Sequence, residues 1–208
     1  MPFTEREFFD VFGRYNAVAW PVVVASWIVT LVYATRLVTT GASSIALSVL
    51  AAFHWAWSGV VYHAMFFARI NPAAFLFAAL FLLEAAALVW FGVVRRDLQF
   101  GWQRGAKRTV AMLFFAASLI YPALVIASGH HAPRAPLFAV PCPTTLFTTG
   151  LLLTARRTTL AVTIVPMLWA LVGGTAAIAL GVLPDLLLWV AAGVLAVQIG
   201  SCRRHVLG

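Results

Sequence analysis

Charge is too scarce along this chain for water to be its main solvent. Lys and Arg number 14 and Asp and Glu 6 in 208 residues, so 10% of positions are charged while 63% are hydrophobic. A water-soluble domain carries about 25% charged residues. The surface must therefore face lipid, and the chain reads as a polytopic membrane protein. An ionisable side chain inside an apolar run is costly there and marks a candidate site. His54, His63 and Glu84 lie well within such runs.

A crossing helix needs about 20 apolar residues. The apolar runs fall at 18–38, 43–67, 73–94, 109–128, 144–154, 160–180 and 184–201. Asn71-Pro72 separates the second run from the third, and because proline disfavours helical geometry at the residue before it, the two form a tight antiparallel hairpin. Pro122 predicts a kink in the fourth. The segment 129–143 cannot cross, since it holds Gly129, Pro133, Pro136, Pro141 and Pro143. The run at 144–154 is short for a span, but charge favours a crossing. With seven crossings, Arg6, Arg14, Arg69 and Arg134 fall on one side and the other ten basic residues, including Arg95, Arg96, Arg156, Arg157, Arg203 and Arg204, on the other. The basic side is cytoplasmic. The expectation is an all-α protein of about seven transmembrane helices, N-terminus outside and C-terminus inside. The net charge of +8 then reports topology, and nucleic acid is not an expected partner.

The chain reads as one domain, 1–208, with 1–14 as an interfacial amphipathic helix. Thr4 and Glu7 have capping-box spacing, and Phe3, Phe8, Phe9 and Phe12 interleave with Glu5, Arg6 and Asp10. No basic n-region opens the chain, so these residues do not read as a signal peptide.

Three groupings could carry chemistry. His54 and Glu84 lie at matched depths across the hairpin, a pair that would serve as a proton or cation station or as a plain interhelical hydrogen bond. His63 is half a helical turn out of phase with His54 at 100° per residue, so the two face apart. At the outer end, His63, His130, His131 and Cys142 share a depth, and imidazole and thiolate suit a transition-metal ion. Their spacing matches no zinc motif, and solvated loop histidines are the competing explanation. Pro141-Cys142-Pro143-Thr144-Thr145 fixes a thiol and two hydroxyls at a helix start, a polar cradle or an ordinary cap. Retinal is excluded as a cofactor, because the only lysine, Lys107, lies in a basic loop. No Gly-x-Ser-x-Gly, His-Glu-x-x-His or P-loop pattern occurs, so enzymatic activity is not the favoured expectation.

Several strings carry a resemblance: Met1-Pro2-Phe3-Thr4 with Phe8-Phe9, Tyr15-Asn16 with Trp20-Pro21, Trp57 through His63 with Phe66-Phe67, Ile70-Asn71-Pro72-Ala73-Ala74, Tyr121-Pro122, Gly129-His130, and Pro141 through Thr145. Together they resemble a family of small multi-pass bacterial membrane proteins called domain of unknown function 6064. The resemblance covers most of the chain up to about Leu153 and weakens beyond it. It implies a bacterial inner-membrane protein and no particular activity.

The leading functional expectation is binding or transport of a small solute or metal ion through an outer-half polar cavity. Tyr15, Asn16, Tyr62, His63, Asn71, His130, Cys142 and Thr144 would line it, with His54 and Glu84 as a deeper polar step. The alternatives are an accessory subunit of a larger membrane complex with no chemistry of its own, and a membrane-embedded metal-dependent or redox enzyme. Besides the lipid bilayer and a small solute or metal ion, the partners considered are a second copy of the chain or a larger membrane complex.

Overall fold

The structure is a computed structural model that describes residues 2–102 and 104–207, with side chains through residue 200. The Arg203 and Arg204 side chains, counted above on the basic side, lie outside the described residues. Among the described residues the regular structure is helical, with a single isolated bridge between Phe100 and Ala155.

α1 runs unbroken from Glu5 to Thr39. The capping box forms as the spacing predicts: the Thr4 hydroxyl accepts from the Glu7 N–H, and the Glu7 carboxylate accepts from the Thr4 N–H at 2.8 Å. No break separates the phenylalanine-rich opening from the apolar run. Phe9 and Phe12 are buried, and Phe8 and Phe12 pack on Phe67 and Tyr62. Pro21 sits inside the helix without ending it.

α2, Ser44–Trp57, continues through a π-helical stretch, Ser58–Phe66, and a 3₁₀ turn, Phe67–Arg69. After the Asn71-Pro72 turn, α3 spans Ala74–Val89 and ends in a second π segment, Trp90–Val94. The hairpin expected from Asn-Pro is present, and the Asn71 side chain stabilises its turn by accepting from the Ala73 N–H at 3.1 Å. Gly59 lets the two helices close, since a Cβ there would lie 3.0 Å from Phe81 and 3.1 Å from the Ala78 carbonyl.

α4, Ala106–Leu119, and α5, Tyr121–Ala127, meet at a 67° bend. The kink expected from Pro122 is a full break, because proline next to Tyr121 cannot supply an N–H to the preceding turn. α6, Pro141–Thr154, is only 14 residues long, about 21 Å at 1.5 Å per residue. Every residue of it except Cys142 is buried. It packs chiefly on α4, and also on α2, α7 and α8. α7, Ile164–Leu180, follows, then a 3₁₀ turn, Leu183–Leu186, which leads into α8, Leu187–Leu207.

Among the described residues five helices have the length and apolarity to cross a membrane, or six if the bent α4–α5 pair is one span. The core has two parts. One centres on Trp55, Phe81, Phe115 and Phe147; the other joins the start of α1 to the end of α2 and to residues 138–140 through Tyr15, Tyr62, Phe66 and Phe138.

Candidate functional site

Between the start of α1, the end of α2, α7 and the turn into α8 lies a cavity of about 190 Å³. A single water needs only about 10–15 Å³ of such space. Most of the wall is hydrocarbon and ring, and the side chains that bring polar atoms to it are Tyr62, His63, Asn71, Tyr121, Cys142, Trp169 and Asp185.

His63 belongs to the π-helical stretch of α2. Such bulges redirect side chains and recur at functional sites. The residue is fully buried, and neither ring nitrogen has a hydrogen-bond partner. Its ring is enclosed by Phe81 at 4.8 Å, Trp169 at 5.0 Å, Tyr62 at 5.2 Å and Phe77 at 5.6 Å between centroids. Buried polar atoms are nearly always paired, so this unpaired imidazole in the cavity wall is a notable exception.

Asp185 is the one carboxyl group among the described residues that line the cavity. The 3₁₀ turn before α8 carries it inward, leaving it 6% exposed. Its Oδ1 accepts from the Tyr121 hydroxyl at 2.5 Å, and its Oδ2 accepts from the Cys142 thiol at 3.2 Å. The break between α4 and α5 positions Tyr121, and the Pro141–Pro143 start of α6 positions Cys142. The Trp169 indole N–H lies close to the Cys142 sulfur but makes no hydrogen bond of its own. Among the described residues no lysine or arginine lines the cavity.

The structure thus brings together four of the residues singled out in the sequence: Tyr62, His63, Asn71 and Cys142. Others act as clamps. The Tyr15 hydroxyl donates to the Ala139 carbonyl at 3.1 Å and accepts from the Trp57 indole at 2.8 Å. The Asn16 amide donates to the carbonyls of Pro133 and Ala135, and the Asp10–Arg134 ion pair at 3.0 Å adds a second tie between α1 and this loop. Thr144 meets the Ser58 hydroxyl at 3.4 Å in the first turn of α6.

The expected metal site does not assemble. Among the described residues no three His, Cys, Asp or Glu side chains are placed to hold one ion. His130 stacks on Phe9 at 4.4 Å and meets the Ser128 hydroxyl, and His131 is exposed. A shared depth did not bring His130 and His131 to His63 and Cys142, because the loop folds toward α1 under the grip of Asn16 and Arg134.

His54 and Glu84 make no hydrogen bond to one another. Trp55, one residue on and 100° around the helix, is what faces α3, its ring 4.4 Å from Phe81. His54 turns to α1 instead, where its Nε2 lies 2.9 Å from the Thr30 hydroxyl. That hydroxyl already donates its one proton to the Ser26 carbonyl, so it must accept from His54, which fixes the Nε2–H tautomer. Glu84 is fully buried with both carboxyl oxygens unpartnered.

Sequence reasoning missed Asp185 and Tyr121. Asp185 follows Pro184 at the start of the 184–201 run, and only His54, His63 and Glu84 are singled out as ionisable residues within such runs. The available signal was Leu-Pro-Asp-Leu itself, a lone carboxylate between apolar residues.

Fold and site define an all-helical protein with several membrane-length helices and an aromatic-walled cavity lined by one carboxyl group. The chain belongs to the family of unknown function designated domain of unknown function 6064, whose sequence profile matches residues 5–206. The match reaches well past Leu153, where the resemblance weakened, and takes in α7 and nearly all of α8. No curated protein and no solved structure matches the chain.

Proposed function

We propose that this protein is a small-solute-binding membrane protein of the transporter class, and that the cavity beside His63 and Asp185 is its binding site. The observation that carries this reading is the buried His63 imidazole, both nitrogens unpartnered, in the wall of a cavity that Asp185 also lines. Ligand pockets are mostly apolar with a few convergent polar groups, and this cavity has that character. A metal ion is no part of the proposal.

The setting we propose is a bacterial inner membrane crossed seven times, with the cavity at the outer end. Three features support it. Ten of 14 basic residues fall on the opposite side under this topology. At that opposite end the 95–105 loop is tied to the end of α6 and the start of α2: the Gly101 N–H donates to Thr154, the Arg156 N–H to Gln99 and the Phe100 N–H to the Ser44 hydroxyl. α6 is short, but the helices around it shield its ends from lipid.

Native mass spectrometry of protein purified from its own membranes tests the reading. The wild type should release a bound small molecule that Ala176→Trp, which fills the cavity from its α7 wall, does not carry. Equal occupancy in both proteins, or none in either, would overturn it.

A further inference from the structure

We infer that the ligand is a lipid-soluble organic amine, its protonated head meeting Asp185 and its hydrocarbon body lying among the rings of Tyr62, Phe67, Phe77 and Trp169. The inference rests on the cavity being a binding site and concerns only what enters it. Both Asp185 oxygens accept hydrogen bonds, an arrangement that suits the ionised carboxylate. Its two donors are a phenol and a thiol, both neutral, and no lysine or arginine among the described residues lines the cavity. The ionised form of a buried carboxylate is costly without a positive partner, and a ligand that brings one would relieve that cost in a cavity without lysine or arginine among its described lining residues.

The walls select the kind of cation. A hard metal ion needs six or more oxygen ligands, and the cavity offers few. Ring faces attract organic ammonium groups, most strongly where water is excluded. The route of entry agrees with an apolar body. Val172 on α7 is 43% exposed, and with Pro2 at the chain start it marks where the lining reaches the surface. Neither is charged, so a molecule dissolved in lipid meets no polar barrier there. His63 lines the same cavity as Asp185, both of its ring nitrogens without a partner, and adds to the polar part of the wall.

Four probes sharing one body separate the possibilities: 2-phenylethylamine, 2-phenylethanol, 3-phenylpropanoate and propylbenzene. Each is measured by equilibrium dialysis against detergent-purified wild type, with empty micelles and the Ala176→Trp and Val172→Trp proteins as blanks for partitioning. The amine should bind wild type about tenfold or more tighter than the alcohol, a difference of about 1.4 kcal/mol or more. Asp185→Asn should erase the preference while leaving alcohol binding in place. If that variant does not fold, the ranking of heads on wild type decides alone. Alcohol or propylbenzene binding as tightly as the amine, or the carboxylate binding tighter, overturns the amine while the cavity reading stands. No probe held above the blanks overturns the cavity reading, and this inference with it.

Discussion

At the scale of single residues, the Asp185 contacts combine three otherwise separate pieces of chain: the α4–α5 break, the start of α6 and the turn into α8. Hydrogen bonds to charged groups contribute about 1.5–3 kcal/mol. Tyr121→Phe should therefore lower stability by about that much, read as a fall in the unfolding midpoint of the detergent-purified protein. Tyr33→Phe, on a half-buried ring for which the structure gives no hydrogen bond, should leave the midpoint nearly unchanged. Equal midpoints for both variants would show that the Tyr121 bond does little. Depth was legible in the sequence at this scale, and direction was not. The positions of His63 and Cys142 could be placed near one end of the bundle, whereas the angle of a side chain around its helix decides what it meets. His54 shows the cost: its depth matched Glu84, but a 100° step gave that face to Trp55. Asp185 shows the converse, because a 3₁₀ turn tucks inward a residue whose linear position suggests an interface.

Helix packing here depends on small residues at points of closest approach, as expected where lipid removes the hydrophobic drive between helices. Gly92, in the π segment that ends α3, is the sharpest case. A Cβ there would overlap the Oγ and Cβ atoms of Ser48 on α2, and both residues are buried. Ser48 cannot swing clear without losing its bond to the Ser44 carbonyl at 2.8 Å. Overpacking of this kind costs about 1–3 kcal/mol, so Gly92→Ala should lower the unfolding midpoint. Gly193→Ala should not, since a Cβ at that glycine has open space around it. A Gly92→Ala protein as stable as wild type would mean that α2 and α3 separate easily. The elements themselves were largely legible, because an Asn-Pro turn and long apolar runs leave few alternatives. α6 was ambiguous by length alone. Its composition held the better clue: Thr144, Thr145, Thr148, Thr149 and Gly150 are small or polar, fit for close packing among helices and poor for facing lipid. The hydroxyls of Thr145, Thr148 and Thr149 each donate to the carbonyl four residues back, and that of Thr148 also accepts from the Trp55 indole of α2 at 2.8 Å.

For the whole molecule, the charge split sets the expectation for which way the bundle sits in its membrane. The cavity, the 129–140 loop and the start of α1 share one end. The basic residues of the 95–108 loop, including Arg95, Arg96 and Lys107, gather at the other. Moving such residues across a bilayer is opposed, which is why they stay cytoplasmic. Two single-cysteine additions to the natural protein should then behave oppositely. His131→Cys lies in the exposed loop held by Asn16, and Lys107→Cys lies at the start of α4. In intact cells an impermeant maleimide should label the first above the parental background and should reach the second only after permeabilisation. Labelling of Lys107→Cys alone would invert the protein and put the cavity at the cytoplasmic end. Labelling of both in intact cells would break the alternation of crossings between α3 and α6, and with it the seven-pass topology. The solute-binding reading survives inversion, since the cavity is made by the fold, but the compartment from which a ligand could be delivered would change.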